Sequence, residues 1–199
     1  MGVILRKPRF RERQQSFYCD FSTLAGWRTE GDGSFSVVTG NLTCEAFGTT
    51  PVGIANPSRI GPVLARSVSL NNSFTIKTNA SFTPTTSGIG EITIALISGE
   101  SAVAYASIGD GWASSSDKIG SCNINGTSIT FLPRSSGMFS GELSFERDNT
   151  GLITFKQDGA TKHSGTFAGK ITDIKLQIAR HPSYTAITSM FIEDVTLTV

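Results

Sequence analysis

The 199-residue chain is poor in the residue types that most often carry chemistry. It has three cysteines, two histidines and two tryptophans, and 17% of its residues are charged. Cys19, Cys44 and Cys122 are odd in number and irregular in spacing. That is no disulfide framework, and reduced thiols are the simplest reading. No H-x-x-x-H, no C-x-x-C and no phosphate-binding glycine loop is present, so the commonest zinc, redox and nucleotide signatures are missing. No apolar run approaches the roughly 18–20 residues of a membrane helix. A secretory signal puts charge ahead of about 7–15 apolar residues. Here the short "GVIL" comes first and the charges follow. The expectation is a chain made in a cytoplasm that leaves it, if at all, by another route. Arg6 stands where N-myristoylation takes Ser or Thr.

Acidic surplus is also missing from the totals, but the formal net charge of +1 hides a split. Residues 1–16 hold five of the 17 Lys/Arg and one of the 16 Asp/Glu, which makes them +4 and leaves residues 17–199 at −3. A nucleic-acid surface is therefore not expected on the body, only on the arm.

Period-two alternation recurs along the chain. "SFTIKTNASF" puts Phe74, Ile76, Thr78, Ala80 and Phe82 on one face, and "EITIALIS" does so with Ile92, Ile94 and Leu96. "ELSFERD", "LITFKQD", "DIKLQIA" and "EDVTLTV" repeat the pattern. Gly, Asn and Asp in "EGDGS", "TSGIG", "RDNTG" and "QDGAT" supply turns between them. Strands at roughly 8–12-residue spacing predict an all-β, antiparallel sandwich of the jelly-roll kind. Residues 17–199 make that one domain, and residues 1–16 an extended N-terminal arm. The Pro- and Gly-rich stretch 48–67 reads as irregular chain crossing a sandwich end or covering an edge. "GDGWASSSDKIG", residues 109–120, reads as a polar loop.

The opening "FYCDFSTLAGWRTEGDGSFSVVTGNLTCEA", the hairpin "ELSFERDNTGLITFKQDGATKHSGTF" and the closing "FIEDVTLTV" resemble the concanavalin A-like lectin/glucanase superfamily. In that superfamily an opening "DFS…GW" strand pairs near a closing "DDVTL"-type strand, so the resemblance implies pairing between the two ends of residues 17–199. It also implies a structural calcium between first and last strands, with Asp20 and Asp194 at the matching positions and backbone carbonyls near Gly40 beside them. The competing reading is that both aspartates cap strand ends.

Glycoside hydrolysis needs two carboxylates roughly 5–10 Å apart. The E-x-D-x-x-E run that the superfamily's glucanases resemble is absent. Glu91 and Glu100 lie at opposite ends of their strand. Glu142 and Glu146 share a face but read as a solvated strand surface. Glu193 and Asp194 are adjacent and point to opposite sides. No catalytic residue is assigned, and a non-enzyme is expected. His163 and His181 read as surface histidines in turns. Sugar binding needs an aromatic platform beside polar groups. Trp112, flanked by Asp110 and Asp117, is the first candidate, and Tyr184 the second. Trp112 is equally a ring packed over the sandwich end.

Three readings fit the arm: a solvated tail, a nucleic-acid contact, or an assembly arm. "VIL" and Phe10 among the charges, and Pro8 favouring an extended path, give it protein-docking features that a phosphate-binding tail does not need. Arg6, Lys7, Arg9, Phe10, Arg11 and Arg13 are the expected docking residues. A jelly roll with a basic arm and no export signal resembles a bacteriophage virion component, a head-decoration, tail or fibre-associated protein that displays its domain toward a host glycan. On that expectation it is oligomeric in an assembly, located in the virion, with other subunits as partners. A stand-alone, extracellular carbohydrate-binding module is the alternative, and a polysaccharide-degrading enzyme the third reading.

Overall fold

The computed structural model describes residues 16–83, 89–111, 114–136, 138–183 and 189–199, with the backbone alone at 110–111, 114–119 and 133–136. Among the described residues there are fifteen strands, numbered in chain order, and no helix. They form two antiparallel sheets. The eight-stranded sheet runs β13 (Ala160–Thr166), β12 (Leu152–Gln157), β11 (Phe139–Arg147), β6 (Phe74–Thr83), β15 (Ser189–Thr198), β4 (Asn41–Ala46), β3 (Ser34–Val38). Its eighth strand, β1 (Phe17–Cys19), also lies on β15. The seven-stranded sheet runs β10 (Thr127–Ser136), β9 (Ser114–Ile124), β8 (Ser101–Gly111), β7 (Gly90–Ser98), β14 (Ile171–Arg180), β5 (Val63–Leu70), β2 (Arg28–Glu30). In both sheets the early strands reach the middle ones only through a late strand, β15 or β14.

The predicted alternation places the core. Phe74, Ile76, Thr78, Ala80 and Phe82 are all buried, with exposed or half-buried residues between them. Thr78 satisfies its hydroxyl by donating to the Asp194 carbonyl at 2.7 Å. Phe145, Phe155 and Phe131 stack as tilted rings 4.8–5.3 Å apart, between the sheets. Ile92, Ile94 and Leu96 face them from β7, beside Ile174, Leu176 and Ile178 of β14. Phe17 pairs with Leu197 and Cys19 with Val195, so the two ends of the domain do pair, as the resemblance implied. Trp27 is half-buried against the core, edge-on to Phe17 at 6.0 Å, and Arg66 lies 3.9 Å above the Phe17 ring.

Two segments differ from their sequence reading. Residues 109–111 and 114–120 are not loop: they extend β8 and β9, paired Gly109 to Ile119 and Ile108 to Gly120. Polar side chains are no obstacle to a strand that has partners on both edges. His163 likewise lies within β13, its Nε2 3.1 Å from the Thr127 carbonyl oxygen. The stretch before Val63 is irregular as expected, but it covers a sheet face. Every residue of β7 from Gly90 to Ile97 is buried, so both of its faces are covered.

Candidate functional site

The covered face of β7 is the outer face of the seven-stranded sheet, turned away from the core. Register rows cross it. One runs Ser121, Ser107, Thr93, Gln177, Val63, Glu30 and the next Asn123, Tyr105, Ala95, Lys175, Ala65, Arg28. Glu91 lies one step further along β7, opposite Ala179.

Residues 51–60 fold over one end of this face. Gln177, fully buried, holds them with its whole amide. Its Oε1 accepts from the Ile54 amide at 2.9 Å, and its Nε2 donates to the carbonyls of Val52 and Gly61. Ile60 and Arg180 exchange both backbone hydrogen bonds. Asp32 anchors the approach, accepting from the amides and hydroxyls of Thr49 and Thr50. Those four donors hold its carboxyl down to about 2. A side chain at Gly48 would sit 2.1 Å from Asp32 Oδ1, and its φ of +69° also favours glycine.

The covered end is charged but paired. Arg59, 3% exposed, places Nε 3.6 Å from Glu91 Oε2, and the Thr93 hydroxyl donates to Glu91 Oε1 at 3.1 Å. Burial pushes the Glu91 carboxyl up, with Arg59 and Thr93 pulling against it. Burial and the Arg59 charge lower the nearby His181. Beyond the loop Ala95 and Ser107 are still buried, and the face becomes accessible at Tyr105, Ser121 and Asn123. The half-buried Tyr105 ring stands there, its phenol pushed up by burial and by Glu91. Ser107 and Ser121 share a hydrogen bond at 3.1 Å, and Asn123 donates to Ser128 at 2.7 Å. At the far end Arg28 binds Asp173 at 2.8 Å and also reaches Glu30, which accepts from Lys175.

The sequence candidates fall unevenly around this face. Trp112 and Tyr184 lie outside the described residues, as do Arg6, Lys7, Arg9, Phe10, Arg11 and Arg13. Asp110 and Asp117 are described as backbone, paired with Lys118 and Ser136. β8 ends at Gly111 and β14 at Arg180, so Trp112 and Tyr184 follow strands that leave the sheet at its Glu91 end. Glu91, Arg59, Tyr105 and Gln177 were not singled out as a site in the sequence. The available signal was phase: β7 is apolar at Ala95 and Ile97 on the face that carries Glu91 and Thr93.

Glu142 and Glu146 lie on the other sheet's outer face, each with its own lysine, Lys77 at 3.1 Å and Lys156 at 2.6 Å. Asp20 and Asp194 are one step beyond the Cys19–Val195 pair. The Ser22 side chain and amide both hydrogen-bond Asp20 and lower its carboxyl, and Asp194 accepts from the backbone and side-chain amides of Asn79. Calcium takes six to eight oxygens. Asp20 and Asp194 offer two carboxylates toward such a shell, both also accepting from amides, and among the described residues no three His, Cys, Asp or Glu cluster.

No protein-family model matches the chain, and no curated protein matches it. Solved structures do. The CBM2 module of the evolved Dit of Lactobacillus casei BL23 phage J-1 aligns with a TM-score of 0.67 at 14% identity, over 93% of this chain and 96% of that one. The metal-free carbohydrate recognition domain of Emp46p gives 0.57 at 16% identity, over 87% and 88%, and a potassium-bound form is also similar. The Bacillus licheniformis β-glucanase gives 0.54 at 13% identity, over 92% and 98%. At these identities the likeness is one of fold.

Proposed function

Because the chain folds as a concanavalin A-like jelly roll, we propose that it is a non-enzymatic glycan-binding module of a virion, with the outer face of the seven-stranded sheet as the binding face. One arrangement carries this reading: the half-buried Tyr105 ring with the accessible hydroxyl and amide groups of Ser121, Asn123 and Ser128 beside it, on a face covered at one end by residues 51–60. A sugar needs such a ring for its apolar face and such groups for its hydroxyls. Similarity to a phage module and to a carbohydrate recognition domain supports both halves of the proposal. The virion half places the body outward and the arm on a partner subunit. Location in a virion follows, with an extracellular free module as the alternative.

Binding without hydrolysis is favoured over the glucanase reading by the charges. The outer face of β7 offers one carboxylate, Glu91, ion-paired to Arg59, where hydrolysis needs a free pair. A glycan array followed by titration tests the proposal. Wild type binds, Tyr105→Ala and Trp112→Ala weaken binding by about tenfold each, as loss of a stacking contact of about 1.4 kcal/mol does, and no new reducing ends appear. A silent array, or release of reducing ends, overturns it.

A further inference from the structure

Arg66 is a cation in an apolar setting. It lies on β5 in register with Ile174 and Leu96, both buried, so its side chain starts from the core-facing side of the seven-stranded sheet. Half-buried, it reaches the seam between the two sheets. Its guanidinium carbon stands 3.9 Å above the ring of Phe17, on β1 of the other sheet, and 5.7 Å from the centre of the Trp27 ring. Gly26 closes on it as well. A Cβ there would stand 3.4, 3.4 and 3.5 Å from Cζ, Nη1 and Nη2. A point so nearly equidistant from three atoms of a plane lies above that plane, so a face of the guanidinium is turned to Gly26. The glycine, at φ +81° and without a side chain, permits that approach.

Ring and glycine fix the plane of the group and leave its N–H edge unused. Among the described residues Arg66 has no ion pair and no hydrogen bond. The carboxylates of the adjoining strands are engaged elsewhere: Asp173 and Glu30 with Arg28 and Lys175, and Asp20 with Ser22. The Trp27 indole N–H, enclosed in the same cluster, also lacks an acceptor among the described residues. A buried polar group without a partner calls for one. A guanidinium held on a ring is a preformed fork for two parallel N–H···O bonds.

We propose that the Arg66 fork takes the carboxylate of a glutamate or aspartate side chain on another protein, with the Trp27 N–H as a third donor beside it. Charge decides for a carboxylate over a phosphate. Arg66 supplies one positive charge, and Arg28, next in the chain after Trp27, is already paired with Asp173. The setting decides for a protein over an acidic sugar. Phe17, Gly26 and Trp27 bring no hydroxyl to read a sugar's own, but they suit the methylene stem of a side chain. Arg and Trp are also the residues that most often anchor protein interfaces. The glycan face is the outer face of the seven-stranded sheet and Arg66 starts from its inner face, so the two proposals stand or fall separately.

The indole N–H signal of Trp27 in a nitrogen-15 spectrum of the full chain reads the site, and Trp112→Phe assigns it. Three probes are titrated at constant ionic strength against sodium chloride: N-acetylglutamic acid α-amide, glucuronate and inorganic phosphate. The blocked glutamate should shift the signal saturably, with a dissociation constant on the order of tens of millimolar for one charge-assisted pair. Arg66→Lys keeps the charge but loses the fork, and should weaken binding several-fold. Arg66→Met keeps the stem and should abolish it. The wild-type titrations decide even where a variant folds poorly. No saturable shift with the blocked glutamate, tighter binding of glucuronate or phosphate, or undiminished binding by Arg66→Met overturns the proposal.

Discussion

Gln177 shows how much one side chain can organise. Its amide is fully buried and makes three hydrogen bonds to the backbone of residues 52–61. Gln177→Leu keeps the volume and strands those backbone groups. The expected cost is about 1–3 kcal/mol in a denaturant melt, with weaker glycan binding because the wall of the face loosens. Asp32 holds the other end of the same segment, and its behaviour is set by pH. A carboxyl lowered to about 2 in the fold, against an ordinary 3.8, stabilises the protein above about pH 4 and loses that contribution as pH falls from 4 to 2. Melts of wild type and Asp32→Asn should differ at pH 6 and converge at pH 2. A gap that stays constant across that range removes this account of the acid limb. Neither role was visible in the sequence. A glutamine within "DIKLQIA" looks like any outward strand residue until a loop is known to lie over it. Asp32 looks like turn chemistry until Thr49 and Thr50 arrive from 17 and 18 residues away.

At the scale of elements the sequence was far more readable, because alternation and turn chemistry are local. Three hairpins use two-residue turns with both residues at positive φ: Thr39-Gly40, Asn125-Gly126 and Asp158-Gly159. Asn-Gly and Asp-Gly are the favoured pairs for such turns. Thr39 is the exception, a β-branched residue at φ +51°, in a region that costs an ordinary side chain about 1–2 kcal/mol. Thr39→Asn should therefore raise stability by about 1 kcal/mol in a denaturant melt. No gain would mean that the bond from its hydroxyl to the Val38 carbonyl offsets the strain. Residues 109–120 failed at this scale for the same reason the others succeeded. "GDGWASSSDKIG" is locally turn-like, and only pairing with β7 and β10 makes most of it strand. β7 was read correctly on one face, but burial of its second face depends on a segment some forty residues earlier.

At the scale of the whole molecule, two features were open to different degrees. The charge split between arm and body is a property of composition and could be read at once. The placement of Ser16 beside Thr198, at the end of a row that Thr75, Glu146 and Thr154 continue, is a property of topology and could not. That topology has a consequence for how the protein comes into being. Among the described residues, β1 to β5 form no ladder with β6 to β13; they join them only through β14 and β15. On the ribosome, the first five strands have no partners in the rest of the sandwich until the last thirty or so residues emerge. Completion is then post-translational and slow, with open strand edges in the waiting nascent chain. Deleting residues 189–199 should accordingly release β1, β3 and β4 as well as β15, seen as loss of the cooperative melt and proteolysis of the first fifty residues. A truncated chain that still melts cooperatively would show that the early strands find their places without the last one. Such a protein is exposed to aggregation while it is being made, and its yield should depend more on chaperones and growth temperature than on the stability it reaches once finished.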